Sequence, residues 1–286
     1  MTFEVGVIGL GYVGGAVANA YQQKNIPVHT FDVDASKNPT CNEFGDFLKK
    51  ANFIYVAVPT PMTRDGSCDT HIIEQVIGDI CKAETQKVIV IKSTVPPGTT
   101  ERLQQQFPQH VLLFSPEFLT EANYLNDYLN QDVMLIGKSS LASQEIAEWA
   151  LESQAKIVET VRYATITSAT AAELYKYVAN TFLATKVSFA NEMAGIAEAL
   201  GVSWDDIQHL VVHDPRLGKT HWKVPGPDGH KGFGGTCFPK DISAIIAEAR
   251  KLNIKTPVLT AAWYRNISID RPERDWEQMK GRAVSE

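Results

Sequence analysis

The segment Val5-Gly6-Val7-Ile8-Gly9-Leu10-Gly11-Tyr12-Val13-Gly14 gives the first indication of the fold of this 286-residue chain. An apolar run, predicted as a β-strand, leads into glycines spaced G-x-G-x-x-G, and a segment of helical length follows. Glycines at this spacing permit a tight turn and let a pyrophosphate approach the backbone at the positive end of the helix. The stretch therefore predicts a strand, a turn and a helix that bind a dinucleotide.

Asp32 supports this prediction, because it lies 18 residues after Gly14, at the end of the second predicted strand. Its carboxylate would accept hydrogen bonds from ribose hydroxyls and would repel a 2′-phosphate, which favours NAD over NADP. The alternative is a glycine-rich turn that serves packing only, with Asp32 as a solvated loop residue.

Residues 1–162 are predicted to form an NAD-binding domain, because short apolar runs alternate there with segments of helical length. Nearly continuous runs of Val, Ile and Leu are typical of strands buried on both faces of a parallel sheet. The rhythm favours an α/β fold with a doubly wound parallel sheet of the Rossmann type, with helices that include 14–24, 71–82 and 143–153. The predicted strands are Glu4–Ile8, Val28–Phe31, Phe53–Val58, Val88–Lys92, Val111–Ser115, Val133–Gly137 and Lys156–Val158.

The pattern changes after Arg162, and residues 163–265 are predicted to form an all-α domain. Ala-rich sequence without Gly or Pro before Gly195 predicts one long helix over 168–200. A shorter helix after Ser203, a loop over 214–235 and a helix over 241–252 are expected to follow. Residues 266–286 carry many charges and few apolar anchors, which predicts a loosely held tail.

Composition limits the classes of function. The chain has 44% hydrophobic and 21% charged residues and a net charge of −6, which argues against a general nucleic-acid surface. Its four cysteines lack a paired spacing, which favours cytosolic thiols over disulfides or a CxxC metal site. No apolar run is long enough to cross a membrane, and no secretory signal is evident. We therefore expect a cytoplasmic protein with no resident metal, no membrane partner and no nucleic-acid partner.

A candidate nucleophile lies in the segment Gly232-Phe233-Gly234-Gly235-Thr236-Cys237-Phe238-Pro239-Lys240-Asp241. Cys237 precedes a predicted helix, and Lys240 follows three residues later. A helix N-terminus and a nearby ammonium both favour the thiolate, which is the nucleophilic form of cysteine. The alternative is a small half-buried cysteine beside a structural turn.

A second candidate group is Glu173, Lys176 and Asn180, which lie on one face of the predicted long helix. A lysine and an asparagine one turn apart could donate together to a developing oxyanion. The alternative for these residues is a solvated helix face.

Together these residues resemble the UDP-glucose/GDP-mannose dehydrogenase family. The resemblance extends over about residues 3–260 and includes Glu173, Lys176, Asn180 and the Gly-Gly-Thr-Cys-Phe-Pro-Lys-Asp motif ending at Asp241. Three further motifs carry it, Tyr55-Val56-Ala57-Val58-Pro59-Thr60-Pro61-Met62, Lys92-Ser93-Thr94-Val95-Pro96-Pro97-Gly98-Thr99-Thr100 and Ser115-Pro116-Glu117-Phe118-Leu119-Thr120-Glu121.

The resemblance implies that NAD removes two hydrides in succession from the C6 alcohol of a nucleotide sugar, with UDP-glucose as the substrate expected first. Cys237 would form a thiohemiacetal and then a thioester. The implied catalytic residues are Cys237, Lys176, Asn180, Asp241, Glu121 and Thr94. The implied cofactor contacts are Gly9, Gly11, Tyr12, Val13, Gly14, Asp32, Lys37, Thr60, Thr94, Glu121 and Lys240. The implied substrate contacts are Glu117, Phe118, Leu119, Lys176, Asn180, Arg216, Phe233 and Gly234.

The resemblance also implies a homodimer through the long helix, since Arg216 matches an arginine that reaches the sugar bound by a neighbouring subunit. Family members carry a further C-terminal domain that holds the uridine diphosphate, and we expect it to be absent here. The cationic loop 219–231 could supply contacts to the diphosphate instead, or it could be a mobile, solvated loop. Two other functions remain open, a two-electron β-hydroxyacid dehydrogenase using Lys176 and Asn180, and a non-catalytic NAD-binding partner subunit.

Overall fold

The computed structural model describes residues 3–285, and the chain divides into two compact units. The first unit comprises Met1–Thr60 and Thr70–Lys176, and the second comprises Pro61–Asp69 and Tyr177–Glu286. One boundary falls after Lys176, inside the long helix. Within the described residues, no helix is long and apolar enough to cross a membrane.

The first unit is built on one seven-stranded sheet in the order β2-β1-β3-β4-β5-β6-β7. The strands are Val5–Ile8 (β1), His29–Phe31 (β2), Phe53–Val56 (β3), Val88–Ile91 (β4), Val111–Phe114 (β5), Asn130–Lys138 (β6) and Thr160–Ser168 (β7). Neighbouring strands from β2 through β5 pair in parallel, and so do β6 and β7. The pairing of β5 with β6 is antiparallel. The sheet is therefore mostly parallel, as predicted, with one reversal.

Helices cover both faces of this sheet. They are Tyr12–Gln23 (α1), Phe44–Lys50 (α2), His71–Ile80 (α3), Thr99–Gln106 (α4), Tyr124–Leu129 (α5) and Gln144–Ile157 (α6). One apolar core holds Val5 and Val7 of β1 with side chains of α1, α5 and α6. A second core holds Ile8 of the same strand with side chains of α2, α3 and α4. Because successive side chains of a strand point to opposite faces, the unit is doubly wound, as predicted.

The last predicted strand, Lys156–Val158, is wrong. Lys156 and Ile157 end α6, where Ile157 is fully buried, and the strand begins later, at Thr160. β7 is an edge strand with one neighbour, and its mixed sequence Thr-Val-Arg-Tyr-Ala-Thr-Ile-Thr-Ser leaves many side chains exposed. Such a strand has no continuous apolar run by which it could be predicted from the sequence.

The second unit contains most of the long helix Ala169–Ala199 (α7) and the helices Trp204–Val211 (α8), Phe238–Lys251 (α9) and Pro257–Arg265 (α10). α7 has 31 residues, close to the predicted 168–200. A core of Ala184, Phe233, Ile242, Ile246 and Ala262 joins α7, α9 and α10. Residues 214–235 contain no helix or strand, as predicted.

Residues 266–285 pack more firmly than the sequence indicates, and Glu286 lies outside the described residues. Trp276 is fully buried, and Ala283 is 1% exposed. Arg271 is buried as well, and its guanidinium contacts Asp228 and Asp275 at 2.7 Å. The expectation of a loosely held tail is therefore wrong, because one aromatic side chain and one charge network anchor a segment whose composition is mainly polar.

Candidate active site

The three glycines of the dinucleotide loop have three different surroundings. Gly9 has a φ of +84°, and a Cβ there would lie 2.4 Å from the carbonyl oxygen of Ala57. A Cβ on Gly14 would lie 1.8 Å from the carbonyl oxygen of Gly9, so only glycine lets α1 approach β1 this closely. Gly11, which immediately precedes α1, has no atom within 4 Å of the Cβ position. The loop is therefore tight on its protein side and open at Gly11.

Asp32 lies beside this loop, where its Oδ2 accepts the backbone N–H of Leu10 at 2.6 Å. Its Oδ1 accepts the N–H of Asp34 at 2.8 Å, which fixes the carboxylate at the end of β2. A fixed carboxylate beside an open helix N-terminus fits the ribose and pyrophosphate of NAD. When bound, NAD supplies the hydride acceptor for an oxidation.

The other predicted cofactor residues of the first unit lie at the surface or at loop junctions. Tyr12 and Val13 start α1, and the Tyr12 ring packs on Tyr124 at 5.2 Å. Lys37 ends a 3₁₀ turn at Ala35–Lys37, and Glu121 begins another at Glu121–Asn123. The position of each of these residues does not by itself identify a ligand.

The loop Lys92–Thr100 is fixed from two sides. Thr60 donates its hydroxyl hydrogen to the carbonyl oxygen of Thr94 at 2.7 Å, and both residues are buried. Glu173 of α7 accepts the backbone N–H groups of Gly98 and Thr100 at 2.6 and 2.7 Å. Burial raises the pKa of Glu173 to about 7, against the opposing effect of these donors. Glu173 therefore anchors the start of α4 on α7 rather than lying on a solvated helix face.

Lys176 and Glu117 form a buried ion pair in the first unit. Nζ of Lys176 lies 3.2 Å from Oε1 of Glu117 and also donates to the Glu117 carbonyl oxygen. Burial would raise the pKa of Glu117, but the Lys176 ammonium outweighs it and holds that pKa below its ordinary value. Phe118 places its ring 4.9 Å from the same ammonium, and Leu119 donates its N–H to Glu117 at 2.7 Å. The structure thus brings together Lys176, Glu117, Phe118 and Leu119, four of the residues expected to contact the substrate.

Lys92 is a second buried cation near Glu117 that the sequence analysis did not assign to the site. Its ammonium donates to the hydroxyl of Ser115 at 3.1 Å and to the carbonyl oxygen of Pro116 at 3.3 Å. Burial lowers the pKa of Lys92 to about 8, although Glu117 opposes this effect. Lys92 directly follows a buried strand and opens the motif Lys92–Thr100, and this position is the sequence signal that could have assigned it to the site.

The second unit brings Cys237, Lys240, Asp241 and Asn180 together at the start of α9. Cys237 is the half-exposed residue that precedes the helix, and its Sγ lies 3.7 Å from Oγ1 of Thr236. Asp241 is buried and contacts both Nζ of Lys240 and Nδ2 of Asn180 at 2.5 Å. Burial opposes the charge on Lys240, but Asp241 and the thiols of Cys237 and Cys68 outweigh it and raise the Lys240 pKa. A thiol, a helix N-terminus, an ammonium and a carboxylate therefore share one small region.

The glycine-rich segment before Cys237 is held by two residues that the sequence analysis missed. Asn266 is fully buried, accepts the N–H of Phe233 at 2.8 Å and donates to its carbonyl oxygen at 2.9 Å. Arg271 lies so close to Gly234 that a Cβ there would be 2.5 Å from its Cζ. No local sequence signal distinguishes an asparagine or arginine with this function.

Arg216 is not brought into this cluster, because its guanidinium pairs with Asp214 at 2.6 Å and is exposed. The loop 219–231 is anchored by Trp222, which is buried and donates to the carbonyl oxygen of Gly218 at 2.9 Å. Lys186 places its ammonium 4.6 Å from the Trp222 ring. Among residues 3–285, no His, Cys, Asp and Glu side chains form a group of three or more suited to a metal ion.

Comparisons with known proteins agree with this arrangement. Residues 39–154 match the NAD binding domain of the UDP-glucose/GDP-mannose dehydrogenase family, and residues 170–267 match the central domain of the same family. The Bacillus subtilis protein YtcA is 38% identical over 257 residues, which cover 85% of this chain and 58% of that protein. A UDP-glucose 6-dehydrogenase of Pseudomonas aeruginosa is 32% identical over 245 residues, which cover 82% of this chain and 52% of that protein.

Among solved structures, a UDP-glucose dehydrogenase from Pyrobaculum islandicum superposes with a TM-score of 0.80 at 30% identity. The alignment covers 93% of this chain and 68% of that one. The chain spans little more than half the length of the two curated relatives, 58% and 52%. The chain belongs to the UDP-glucose/GDP-mannose dehydrogenase family, and its first unit carries the NAD binding domain of that family.

Proposed function

We propose that this protein oxidises the C6 alcohol of a nucleotide sugar to the acid, with two molecules of NAD consumed for each substrate. UDP-glucose, which would give UDP-glucuronate, is the substrate proposed first, because the Pseudomonas and Pyrobaculum relatives are named for it. The observation that carries the proposal is the position of Cys237, which immediately precedes α9 beside the Lys240–Asp241 pair.

The chemistry explains why an oxidation by four electrons requires a thiol. Loss of the first hydride and the hydroxyl proton turns the alcohol into an aldehyde, which has no hydroxyl next to its remaining C–H bond. Addition of the Cys237 Sγ to the carbonyl carbon forms a thiohemiacetal, which restores that arrangement. Loss of the second hydride and proton leaves a thioester, and attack by water releases the acid and returns the thiol.

The surroundings of Cys237 support a nucleophilic role. A helix N-terminus and a nearby ammonium both stabilise a thiolate relative to the neutral thiol. Lys240 keeps its proton because the carboxylate of Asp241, 2.5 Å away, stabilises the ammonium and raises its pKa. Asp241 is also proposed to position the water that attacks the thioester, since a buried carboxylate can accept the proton of that water.

Lys176 and Asn180 are proposed to stabilise the oxyanions. An ammonium carries three N–H donors, of which the contacts with Glu117 use two. An amide carries two, of which the contact with Asp241 uses one. Each side chain thus has a further donor while a carboxylate fixes its position. Glu121 and Thr94 are proposed for acid–base and water-holding roles.

We also propose a homodimer through α7. Its apolar side chains Val178, Phe182 and Phe189 are 53%, 64% and 54% exposed and recur at helical spacing, with Met193 and Ile196 following. Contiguous exposed apolar surface of this kind is typical of protein interfaces. Arg216 is proposed to reach the substrate of the second subunit, and a cytoplasmic location is proposed from the four thiols.

The test is the stoichiometry of NADH formed against a panel of nucleotide sugars, with the products identified by mass spectrometry. Two NADH and an acid for each sugar are the expected result. One NADH and a carbonyl product would indicate the two-electron β-hydroxyacid dehydrogenase instead. NAD binding without reduction by any sugar of the panel would indicate a non-catalytic partner subunit.

A further inference from the structure

The second unit contains a cleft that none of the predicted site residues lines. It has a volume of about 520 Å³ and is formed by residues 62–66, one face of α9, residues 263 and 267, and residues 274, 277, 280, 284 and 285. Small-molecule sites in proteins typically measure about 300–1,000 Å³. The cleft is therefore large enough for a nucleotide-sized ligand.

Its charge is opposite to that of the chain as a whole. Among the described residues 3–285, four cations line it, Arg64, Arg250, Arg274 and Lys280, against the two carboxylates of Asp65 and Glu277. The whole chain carries a net charge of −6. A local excess of positive charge in an acidic protein concentrates anions at that place.

Three of these cations pair with no carboxylate of the part of the chain that the structure describes. Among residues 3–285, Arg64, Arg250 and Lys280 form no salt bridge, whereas Arg274 contacts Glu277 at 3.6 Å. The carboxylate of Asp65 instead accepts the hydroxyl of Thr63 at 2.5 Å and the N–H of Ser67 at 3.0 Å. Arg64, Arg250 and Lys280 are therefore available to an anion.

The walls of the cleft are fixed before any ligand binds. Gly66 has a φ of +87°, and a Cβ there would lie 2.3 Å from Oγ of Ser243, so the turn 63–67 is held against α9. Met62 donates its N–H to the carbonyl oxygen of Ala283 at 2.9 Å and accepts the N–H of Ser285 at 2.8 Å. Preorganised walls lower the entropy that a ligand must lose.

One wall is aromatic and apolar. Trp263 is half-buried, packs against Trp276 at a ring distance of 5.7 Å and lines the cleft beside Ile246 and Ile267. Phe233 also lies nearly parallel to the Trp263 ring, at a ring distance of 6.3 Å, so two neighbouring rings fix this indole. The part of its surface that lines the cleft offers an aromatic contact to a heterocyclic base. The cleft thus combines a flat apolar wall with guanidinium groups, which bind phosphate through paired N–H donors.

We propose that this cleft binds a nucleoside diphosphate, with the phosphates on Arg64 and Arg250 and the base on Trp263. The ligand is either a free nucleotide or the nucleotide half of a nucleotide sugar, since both present the same diphosphate and base. Binding does not depend on the oxidation proposed above, because no side chain assigned to that reaction lines the cleft.

The test is calorimetric titration with UDP, with ADP and with inorganic diphosphate. The double variant Arg64→Gln/Arg250→Gln is expected to weaken UDP binding at least tenfold. The matched control Arg162→Gln/Lys49→Gln removes two exposed cations from the first unit and should change the Kd less than twofold. Urea unfolding of both variants confirms that each is folded, since all four side chains are exposed.

Equal UDP affinity in the double variant and the wild type would overturn the proposal, and so would the absence of UDP binding at millimolar concentration. Inorganic diphosphate bound as tightly as UDP would overturn the stacking on Trp263. Titration of UDP into protein saturated with UDP-glucose distinguishes a free nucleotide from the nucleotide half of a nucleotide sugar as the ligand of the cleft. An unchanged Kd identifies a free nucleotide, and competition that the double variant abolishes identifies the nucleotide half of the sugar substrate. A protein that binds UDP here and never forms NADH would contradict the proposed oxidation alone.

Discussion

The side-chain amide of Asn180 donates to Oδ2 of Asp241 across 2.5 Å, while Oδ1 of the same carboxylate contacts the ammonium of Lys240 at 2.5 Å. Asn180 lies on α7, Asp241 lies on α9, and both are buried. Both oxygens of one buried carboxylate are thus engaged. This carboxylate is the anion that pairs with the ammonium of Lys240.

Removal of the carboxylate in Asp241→Ala is expected to lower the free energy of unfolding by about 3–5 kcal/mol, because a nearly buried ammonium would lose its anion. Urea denaturation measures this change. Glu248→Ala is the control, since it removes the partner of the exposed Lys251 and should cost about 1 kcal/mol or less. Equal losses in the two variants would contradict a special contribution from the buried pair.

The dinucleotide loop allows a comparison of two glycines. Gly14→Ala would place a methyl group 1.8 Å from the Gly9 carbonyl oxygen and is expected to destabilise the protein by about 1–3 kcal/mol or more. Gly11→Ala meets no atom within 4 Å, so its unfolding free energy should fall by less than about 1 kcal/mol. Its NAD affinity, however, should drop at least tenfold, since the methyl group occupies the open side of the loop. Thermal melts and NAD titrations of both variants check this, and unchanged NAD affinity in Gly11→Ala would place the pyrophosphate elsewhere.

The thiol of Cys237 is expected to be essential for acid formation and dispensable for cofactor binding. Cys237→Ser should abolish the acid product while NAD affinity stays within about tenfold, or about 1.4 kcal/mol. Cys81→Ala is the control, because burial raises the pKa of Cys81 to about 12 and keeps that thiol protonated and unreactive. Acid output at the wild-type rate from Cys237→Ser would remove this residue from the reaction.

Glu173 predicts a pH dependence of stability. Burial raises its pKa from an ordinary value of 4.5 to about 7, so the folded chain holds this proton more tightly than the unfolded chain does. Its contribution to stability is therefore complete below pH 4.5 and is lost as the pH rises to about 7. The loss amounts to about 3 kcal/mol for this buried group. Glu173→Gln, which cannot ionise, should lack this decline in urea unfolding between pH 4.5 and 7, and identical pH profiles in the two proteins would refute the assignment.

The apolar face of α7 predicts a dimer with twice the 31.6 kDa mass of the chain. Phe182→Asp should shift the sedimenting species to the monomer, because a carboxylate would be buried in the interface without a partner. Leu252→Asp alters a side chain of the same exposure, 63% against 64%, outside α7 and should leave the mass unchanged. A monomeric wild-type protein at micromolar concentration would contradict the proposed dimer.

Much of the fold follows from local patterns. Four strands of four residues each are buried throughout, and their apolar runs are recognisable in the sequence. They are Val5–Ile8, Phe53–Val56, Val88–Ile91 and Val111–Phe114. The predicted strand Lys156–Val158 precedes β7, since an edge strand exposes polar side chains and resembles a loop in its composition. Trp276 shows the converse, because a buried indole and the Arg271 charge network pack a segment whose charges suggested a tail.

Short-range patterns were sufficient to predict the glycine loop with Asp32, the buried strands, the long helix and a cysteine directly before a helix, because each depends on residues close together in the chain. Long-range packing alone sets the antiparallel direction of β6 beside β5, the contacts of Glu173 with Gly98 and Thr100, and the contact of Asn266 with Phe233. It alone also paired Met62 with the C-terminal residues that complete the cationic cleft. These contacts join residues far apart in the chain, so their free energy depends on the packing of the whole unit and leaves no periodic trace in the local sequence.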